Sequence, residues 1–172
     1  SNIAINLSMQ QRGLPVAYVV ACGNMAQTSQ AQIAAELLDD PRVTAIGLHI
    51  EGFGDLSEWH ALTLKARAKG VPLIALKVGR SEQAQQAAVS HTASMAGSDA
   101  GAQALLDRLG IGRADDLPTF IETLKLLHIV GRLDAPTLSS ISCSGGEASL
   151  IADTAEGSGM VFPELTDTQQ CA

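Results

Sequence analysis

Three short runs of apolar residues, at positions 15–22, 43–50 and 71–78, stand out from the more mixed segments around them. None of the three alternates strictly between apolar and polar residues, and each leads into a turn with glycine or polar residues. An unalternated apolar run of this length is typical of a strand that is buried on both faces of a parallel sheet. The pattern therefore predicts three buried strands.

Segments with the apolar spacing of amphipathic helices lie around these runs. The predicted helices cover residues 1–12, 29–38, 56–69, 98–109 and 117–128, and residues 112–116 are predicted to form a loop. Strands that alternate with helices form a parallel sheet with helices on both faces, joined by right-handed connections. The expected fold class is α/β, a doubly wound parallel sheet of flavodoxin-like type.

A second strand–turn–helix pattern follows a linker predicted at residues 131–136. It consists of a strand at 138–143, a turn at Gly145 and Gly146, a helix at 148–156 and a further strand at 160–165. We therefore divide the chain into one domain at 1–133 and the start of a further α/β unit at 134–172. Whether this unit packs onto the first sheet stays open at this point.

Length, charge and cysteine content narrow the functional class. A chain of 172 residues holds one domain with its own core, or one domain and a piece of another. Its net charge of −7 argues against nucleic acid and anionic membranes as partners. No apolar stretch is long enough to span a bilayer, and no signal peptide is visible. The cysteines Cys22, Cys143 and Cys171 lack metal-ligand spacing and predict free thiols in a reducing cytoplasm.

The most distinctive chemistry surrounds His91, which stands between two hydroxyl residues, Ser90 and Thr92. Small residues follow it at Ala93, Ser94, Ala96 and Gly97, and they let a backbone come close to a ligand. Hydroxyl groups bind anionic oxygens, and a neutral imidazole can attack phosphorus and carry a phosphoryl group. The alternative is a connecting loop whose histidine only satisfies backbone groups.

Two turns at predicted strand ends add candidate residues. Asn24 follows the first predicted strand, and Glu51 follows the second. Open α/β sheets bind ligands at the carboxyl ends of their strands, so both side chains are candidates for a shared site. The alternatives are an ordinary turn at Asn24 and a solvated loop acid at Glu51. His49, inside the second run, is predicted to be a core histidine and not a ligand.

Four motifs, in this order along the chain, carry a resemblance to a known family. They are ACGNMAQTS at 21–29, GLHIEGFGD at 47–55, LKVGRSE with SHTASMAGSD between 76 and 99, and SCSGGEASLIAD at 142–153. Together they resemble the NDP-forming acyl-CoA synthetases, relatives of the succinyl-CoA synthetase α subunit that are typified by ADP-forming acetate–CoA ligase. The resemblance covers nearly the whole chain. Ala93 departs from it, because relatives often have glycine there.

The resemblance implies a reaction and a set of site residues. The reaction interconverts acyl-CoA, ADP and phosphate with acid, CoA and ATP, through an acyl phosphate and a phosphohistidine at His91. Glu51 is implied to hold the far nitrogen of the His91 ring and to stabilise its positive charge. The expected phosphate-binding residues are Ser1, Asn2, Asn24, Ser90, Thr92, Gly145 and Gly146. No metal ligand is expected among the residues of this chain.

The resemblance also implies partners that lie outside this sequence. A CoA-binding Rossmann domain would precede residue 1, so that the chain begins just after a phosphate loop. A separate ATP-grasp domain or subunit would bind ATP or ADP with Mg²⁺, and residues 134–172 would begin a next ligase domain. The chain alone is then expected to be inactive, to bind at most phosphate or sulfate, and to serve a small carboxylic acid and its acyl-CoA. An assembly of identical chains is compatible with this arrangement.

Two rival functions stay open. In some protein acetyltransferases a related region acts as a regulatory, ligand-sensing module without a working phosphohistidine, and the presence of His91 with Glu51 favours the enzyme over it. The plainer rival is a flavodoxin-like interaction domain without a ligand, against which the polar turns at three strand ends argue. The sequence leaves open the acyl substrate, the choice between ADP and GDP, and whether the ATP-grasp part is fused or separate.

Overall fold

The computed structural model describes residues 2–81, 83–84 and 98–170. The chain divides into two units, Ser1–Arg132 and Leu133–Ala172, which are described separately. No helix of the described residues is long and apolar enough to cross a membrane.

The first unit carries a parallel sheet of three strands in the order β1-β2-β3. The strands are β1 (Ile46–Ile50), β2 (Leu73–Lys77) and β3 (Gly112–Ala114), and the helices are α1 (Asn2–Ser8), α2 (Gln30–Leu37), α3 (Leu56–Lys69), α4 (Asp99–Leu109) and α5 (Leu117–Val130). Direct pairing of Ile50 with Lys77 brings the carboxyl ends of β1 and β2 to one edge of the sheet.

Local capping explains why these helices begin and end where they do. The Ser29 side chain accepts a hydrogen bond from the Gln32 backbone amide, and the Gln32 side-chain oxygen accepts one from the Ser29 backbone amide, which forms a capping box. Helix α3 begins after the cap Asp55 and ends at Gly70, which adopts the left-handed conformation that glycine tolerates best. The predictions of α3 at 56–69 and of α4 after the cap Ser98 are confirmed.

Helices cover both faces of the sheet, as a doubly wound fold requires. One face packs against α2, α3 and α4, and its buried cluster includes the completely or almost completely buried Trp59, Leu62 and Leu106. The other face packs against α5 through Phe120 and Leu124. Apolar burial on both faces is the main favourable term in the stability of this unit.

Gly47 in β1 permits the close approach of α5. A Cβ atom at this position would lie 2.5 Å from Phe120 Cζ and 2.8 Å from Leu124 Cδ1. Because both contacts are to buried side chains of the second cluster, a larger residue would force them out of place. The glycine is therefore a packing requirement of the sheet–helix interface.

Replacing Gly47 with alanine is expected to lower the free energy of unfolding by about 1–3 kcal/mol, because the added methyl overpacks this interface. Urea denaturation of the variant measures the loss. Phe120→Leu in the same chain makes room for the methyl, so the double variant should lose less than the sum of the two single losses. Strictly additive losses would show that Phe120 is not the group with which the methyl collides.

The prediction of a strand at residues 15–22 is wrong, since these residues form no part of the three-stranded sheet. Their apolar side chains are partly exposed, with Val19 at 41% and Val20 at 47%. Tyr18 instead donates a 2.5 Å hydrogen bond to Asp40, outside any strand. Apolar composition predicts burial, but a strand also requires a partner for its backbone groups, and that requirement is not visible in the sequence.

Two more element predictions in the first unit need correction. Residues 112–114, predicted as loop, form β3 and pair with β2, with Gly112 opposite Ile74. Three residues are too few to show a hydrophobic period, which is why the pattern missed them. The helix predicted at 1–12 is observed only as Asn2–Ser8.

The second unit contains α6 (Gly145–Ala155), α7 (Asp167–Gln170) and a single parallel bridge between Thr137 and Val161. The strands predicted at 138–143 and 160–165 are not formed, apart from that bridge. None of the unit's described residues is buried, and Ile141 is fully exposed. Strands of this kind need a neighbouring strand and a buried face, and the described part of this unit supplies neither.

Candidate functional site

Glu51 lies at the carboxyl edge of the sheet, directly after β1. The amide of Val78 donates to the carbonyl of Ile50 at 3.1 Å and so continues the pairing of β1 with β2 to this edge. The backbone of Glu51 therefore leaves the sheet from an anchored strand end. This is the position where open α/β sheets bind their ligands.

Lys77, the last residue of β2, holds the main chain at Glu51. Its side-chain ammonium donates to the carbonyl oxygen of Glu51 at 3.0 Å and also to the carbonyl oxygen of Val78. The residue is only 4% exposed. Burial lowers the pKa of Lys77, and the charge of Arg113 lowers it further, whereas Asp99 and Glu51 act in the opposite direction. A buried cation thus holds the main chain of Glu51, the acid that the sequence predicted as a site residue.

Asn24 lies in a turn with unusual backbone angles. Its neighbours Gly23 and Met25 have φ values of 60° and 50°, and Met25 is the one described residue other than glycine with positive φ. The amide of Gln30 donates to the Met25 sulfur at 3.2 Å, and the Gln30 side chain donates to the His49 carbonyl at 3.0 Å. Gln30 therefore ties the Asn24 turn to the end of β1.

Asn24 and Glu51 line the same cavity, which has a volume of about 620 Å³. Gln30 and His49 contribute to its wall, together with apolar residues of 14–25, β1 and α5. A second cavity of about 510 Å³ shares Asn24 and Gln30 with the first. The structure thus brings two of the predicted site residues, Asn24 and Glu51, to one concave surface.

His49 lies in β1, as predicted, but the prediction of a satisfied core histidine is corrected, because the residue is only partly buried and one of its polar atoms is unsatisfied. Its Nε2 atom is buried and has no hydrogen-bond partner among the described residues. Burial is the main reason that the pKa of His49 lies below its ordinary value of 6.5, with Glu51 raising and Lys77 lowering it. The ring therefore stays neutral in the folded chain at neutral pH.

This lowered pKa predicts a dependence of stability on pH. Below 6.5 the unfolded chain protonates His49 more readily than the folded chain does, so stability is lost as pH falls from 6.5 towards the lower folded pKa. Urea denaturation between about pH 7.5 and about pH 5.5 should show that His49→Gln has a flatter dependence than the wild type. The exposed His60 provides a control, and His60→Gln should keep the wild-type slope. Equal slopes for both variants would contradict the lowered pKa.

Asn2, the only other predicted site residue in the described part of the first unit, is the exposed first residue of α1 and does not line this cavity. Gly145 and Gly146 open α6 in the second unit behind the cap Ser144. Ser1, Ser90, His91 and Thr92 lie outside the described residues.

No group of three or more histidine, cysteine, aspartate or glutamate side chains among the described residues could hold a metal ion. The cavity offers the Glu51 carboxylate and the side-chain amides of Asn24 and Gln30, whereas the buried Lys77 ammonium is bound to main-chain carbonyls. These groups suit the binding and orientation of an anion and of a nitrogen base.

Comparison with known proteins places this geometry in context. The profile of the succinyl-CoA ligase like flavodoxin domain matches residues 2–127. The chain belongs to this family. Its β1 and β2 edge, with Glu51 and Lys77, lies inside the matched region, as does the sequence around His91.

Named relatives of this flavodoxin-like ligase domain are longer proteins. An ADP-forming acetate–CoA ligase of Methanocaldococcus jannaschii is 37% identical over 79% of this chain and 19% of its own length. A trans-feruloyl-CoA synthase from an unknown prokaryotic organism is 29% identical over 93% of this chain and 23% of its own length. The chain thus spans less than a quarter of these two relatives.

A solved structure agrees with the fold of the ligase domain. It is the dinucleotide forming acetyl-coenzyme A synthetase 1 of Ca. Korarchaeum cryptofilum in complex with phosphate and ADP. It matches with a TM-score of 0.74 and 25% identity, over 86% of this chain and 32% of that one. The expectation of a flavodoxin-like α/β fold and of the acyl-CoA synthetase family is confirmed.

Sequence reasoning missed Lys77 and Gln30 as members of the site. The signal for Lys77 was present, because an ionisable residue at the end of the apolar run LIALK is rarely buried without a purpose. Gln30 gave no comparable signal. Its bond to the His49 carbonyl joins positions 19 residues apart and depends on the fold.

Proposed function

We propose that this chain is the part of an ADP-forming acyl-CoA synthetase that receives a phosphoryl group on His91 and passes it to a nucleotide. The observation that carries the proposal is the anchoring of Glu51 at the carboxyl edge of β1 by Lys77. Two features support it further, the cavity that Glu51 shares with Asn24 and the names of the relatives.

The proposed reaction proceeds in three transfers. Phosphate attacks the thioester carbon of acyl-CoA, which releases CoA and forms an acyl phosphate. A ring nitrogen of His91 then attacks the phosphorus, and the P–O bond to the carboxylic acid breaks. Finally the terminal phosphate oxygen of ADP attacks phosphohistidine, which forms ATP and returns neutral His91. Dividing the transfer in this way replaces one difficult step by easier ones.

Glu51 is proposed to accept a hydrogen bond from the ring nitrogen of His91 that does not attack. A carboxylate in this position selects one tautomer and stabilises the positive charge that develops on the ring. Asn24, Ser90 and Thr92 would contact phosphoryl oxygens. The same role is proposed for Ser1, Asn2, Gly145 and Gly146.

The remaining functions are assigned to parts outside this sequence. A CoA-binding domain and an ATP-grasp domain or subunit would supply the CoA and nucleotide sites, and Mg²⁺ would shield the nucleotide phosphates there. Residues 134–172 would begin the next ligase domain, and the full protein would act in the cytoplasm on a small carboxylic acid.

Incubation of the full-length protein with γ-labelled ATP and Mg²⁺ tests the proposal. Acid-labile, base-stable label that mass spectrometry maps to His91 would support it. Absence of label in a folded protein with an intact nucleotide domain would reject it in favour of the regulatory-module alternative.

A further inference from the structure

The structure describes charged residues on either side of the region of His91, and they pair with residues at the end of the same short strand, β3. Arg80 precedes residues 82–97, and Asp99 follows them. Arg80 pairs with Asp115 at 2.7 Å, and Asp99 pairs with Arg113 at 2.6 Å. Arg113 belongs to β3 and Asp115 follows it directly.

Arg113 is the buried half of this arrangement. Its side chain is 8% exposed, its guanidinium also donates to Gln103 at 3.1 Å, and its Nε atom has no partner among the described residues. A buried guanidinium requires an anion nearby, and Asp99 supplies one at the first turn of α4. Arg113 in turn lowers the pKa of Asp99 by hydrogen bonding, so the carboxylate stays charged.

Arg80 links the two pairs. Its Nε atom lies 3.9 Å from Asp99, while another nitrogen of the same guanidinium bonds Asp115. Lys77 adds a third positive charge that acts on Asp99. One carboxylate therefore lies among three cations, at the carboxyl ends of β2 and β3.

From this arrangement we infer that the end of β3, through Arg113 and Asp115, positions Arg80 and Asp99 and thereby sets the rate of phosphoryl transfer to His91. The inference rests on the proposed phosphohistidine function. It makes Arg113 and Asp115 positioning residues, because they act through the residues on either side of the region of His91. Misplacement of a reacting group by about 1 Å can cost about 10²-fold in rate, so modest contacts of this kind affect turnover.

The exposed pair allows a positioning role to be separated from a structural one. Arg80 is 55% exposed and Asp115 is 69% exposed, and exposed ion pairs contribute little to stability. Asp115→Asn should therefore leave the melting temperature of the full-length protein unchanged. It should slow the labelling of His91 from γ-labelled ATP by about fivefold, the upper range for one such pair.

A double-variant cycle gives the decisive comparison. Arg80→Gln alone should slow labelling at least as much as Asp115→Asn does, because it also removes the approach to Asp99, and the double variant should be no slower than Arg80→Gln. Asp39→Asn is the matched control, since Asp39 is an exposed carboxylate that pairs with Lys65 and Lys69 away from this edge. It should label at the wild-type rate. Wild-type labelling of Asp115→Asn, or effects that multiply in the double variant, would overturn the inference.

Hydrogen exchange separates this inference from the proposed function. In Asp115→Asn the amides of residues 79–81 should exchange faster than in Asp39→Asn, whether or not the wild type is labelled. If the wild type is not labelled but the two variants still differ in amide exchange, the phosphohistidine function is rejected. The contact of Arg80 with Asp115 at the end of β3 then still stands. Equal exchange in the two variants would overturn the positioning role itself.

Discussion

Replacing His91 with asparagine should abolish phosphorylation of the full-length protein by γ-labelled ATP, the largest effect that we expect from any single substitution. The amide nitrogen of asparagine has no free electron pair with which to attack phosphorus. The fold should be retained, because asparagine is polar like histidine and slightly smaller. Labelling followed by acid and base treatment measures the loss, and circular dichroism checks the fold.

His60 provides the control for this substitution. It lies exposed on α3, so His60→Asn should be labelled like the wild type. Acid-labile, base-stable label that persists in His91→Asn at the wild-type level would place the phosphoryl group on another residue. The role assigned to Glu51 would then need a different partner.

Features that depend on neighbouring residues in the sequence were predictable. The cap Ser29, the cap Asp55 and the terminator Gly70 act within four residues of the helix end, and these helix limits are correct within about two residues. Strand pairing is not local. The strand predicted at 15–22 is absent from the sheet, and Gly112–Ala114 joins the sheet without a hydrophobic pattern.

The same distinction applies to the candidate site. The position of Glu51 was predictable, because it follows an apolar run that forms a parallel strand, and such strands present their carboxyl ends at one edge. Asn24 lines the same cavity although the run before it forms no strand of the sheet. The burial of Lys77 had a signal in the apolar run LIALK, but its partners had none, since its role depends on two backbone carbonyls and one of these directly follows another strand. Arg113 was hidden for a similar reason, because its pairing with Asp99 requires β3 and α4 to lie side by side. Side-chain contacts between distant segments are thus the part that the sequence alone does not predict.

Replacing Glu51 with glutamine should slow phosphoryl transfer by about 10²–10⁴-fold, the range found when an imidazole loses its orienting acid. Glutamine keeps the size of the side chain but loses the charge that would stabilise a positively charged ring. The bond from Lys77 should survive, because it is made to the main-chain carbonyl of Glu51. The loss should therefore appear in the rate of His91 labelling and not in the melting temperature.

Glu36 supplies the matched control, an exposed acid on α2 whose replacement by glutamine should leave the labelling rate unchanged. Rapid-quench labelling of the full-length protein compares the two variants on the time scale of the transfer. A wild-type rate in Glu51→Gln would remove the orienting role while leaving His91 as the acceptor. If Glu51→Gln lowers both the labelling rate and the melting temperature, Glu51 instead supports the structure of the sheet edge. Lys77 would then be a buried cation that supports the same edge.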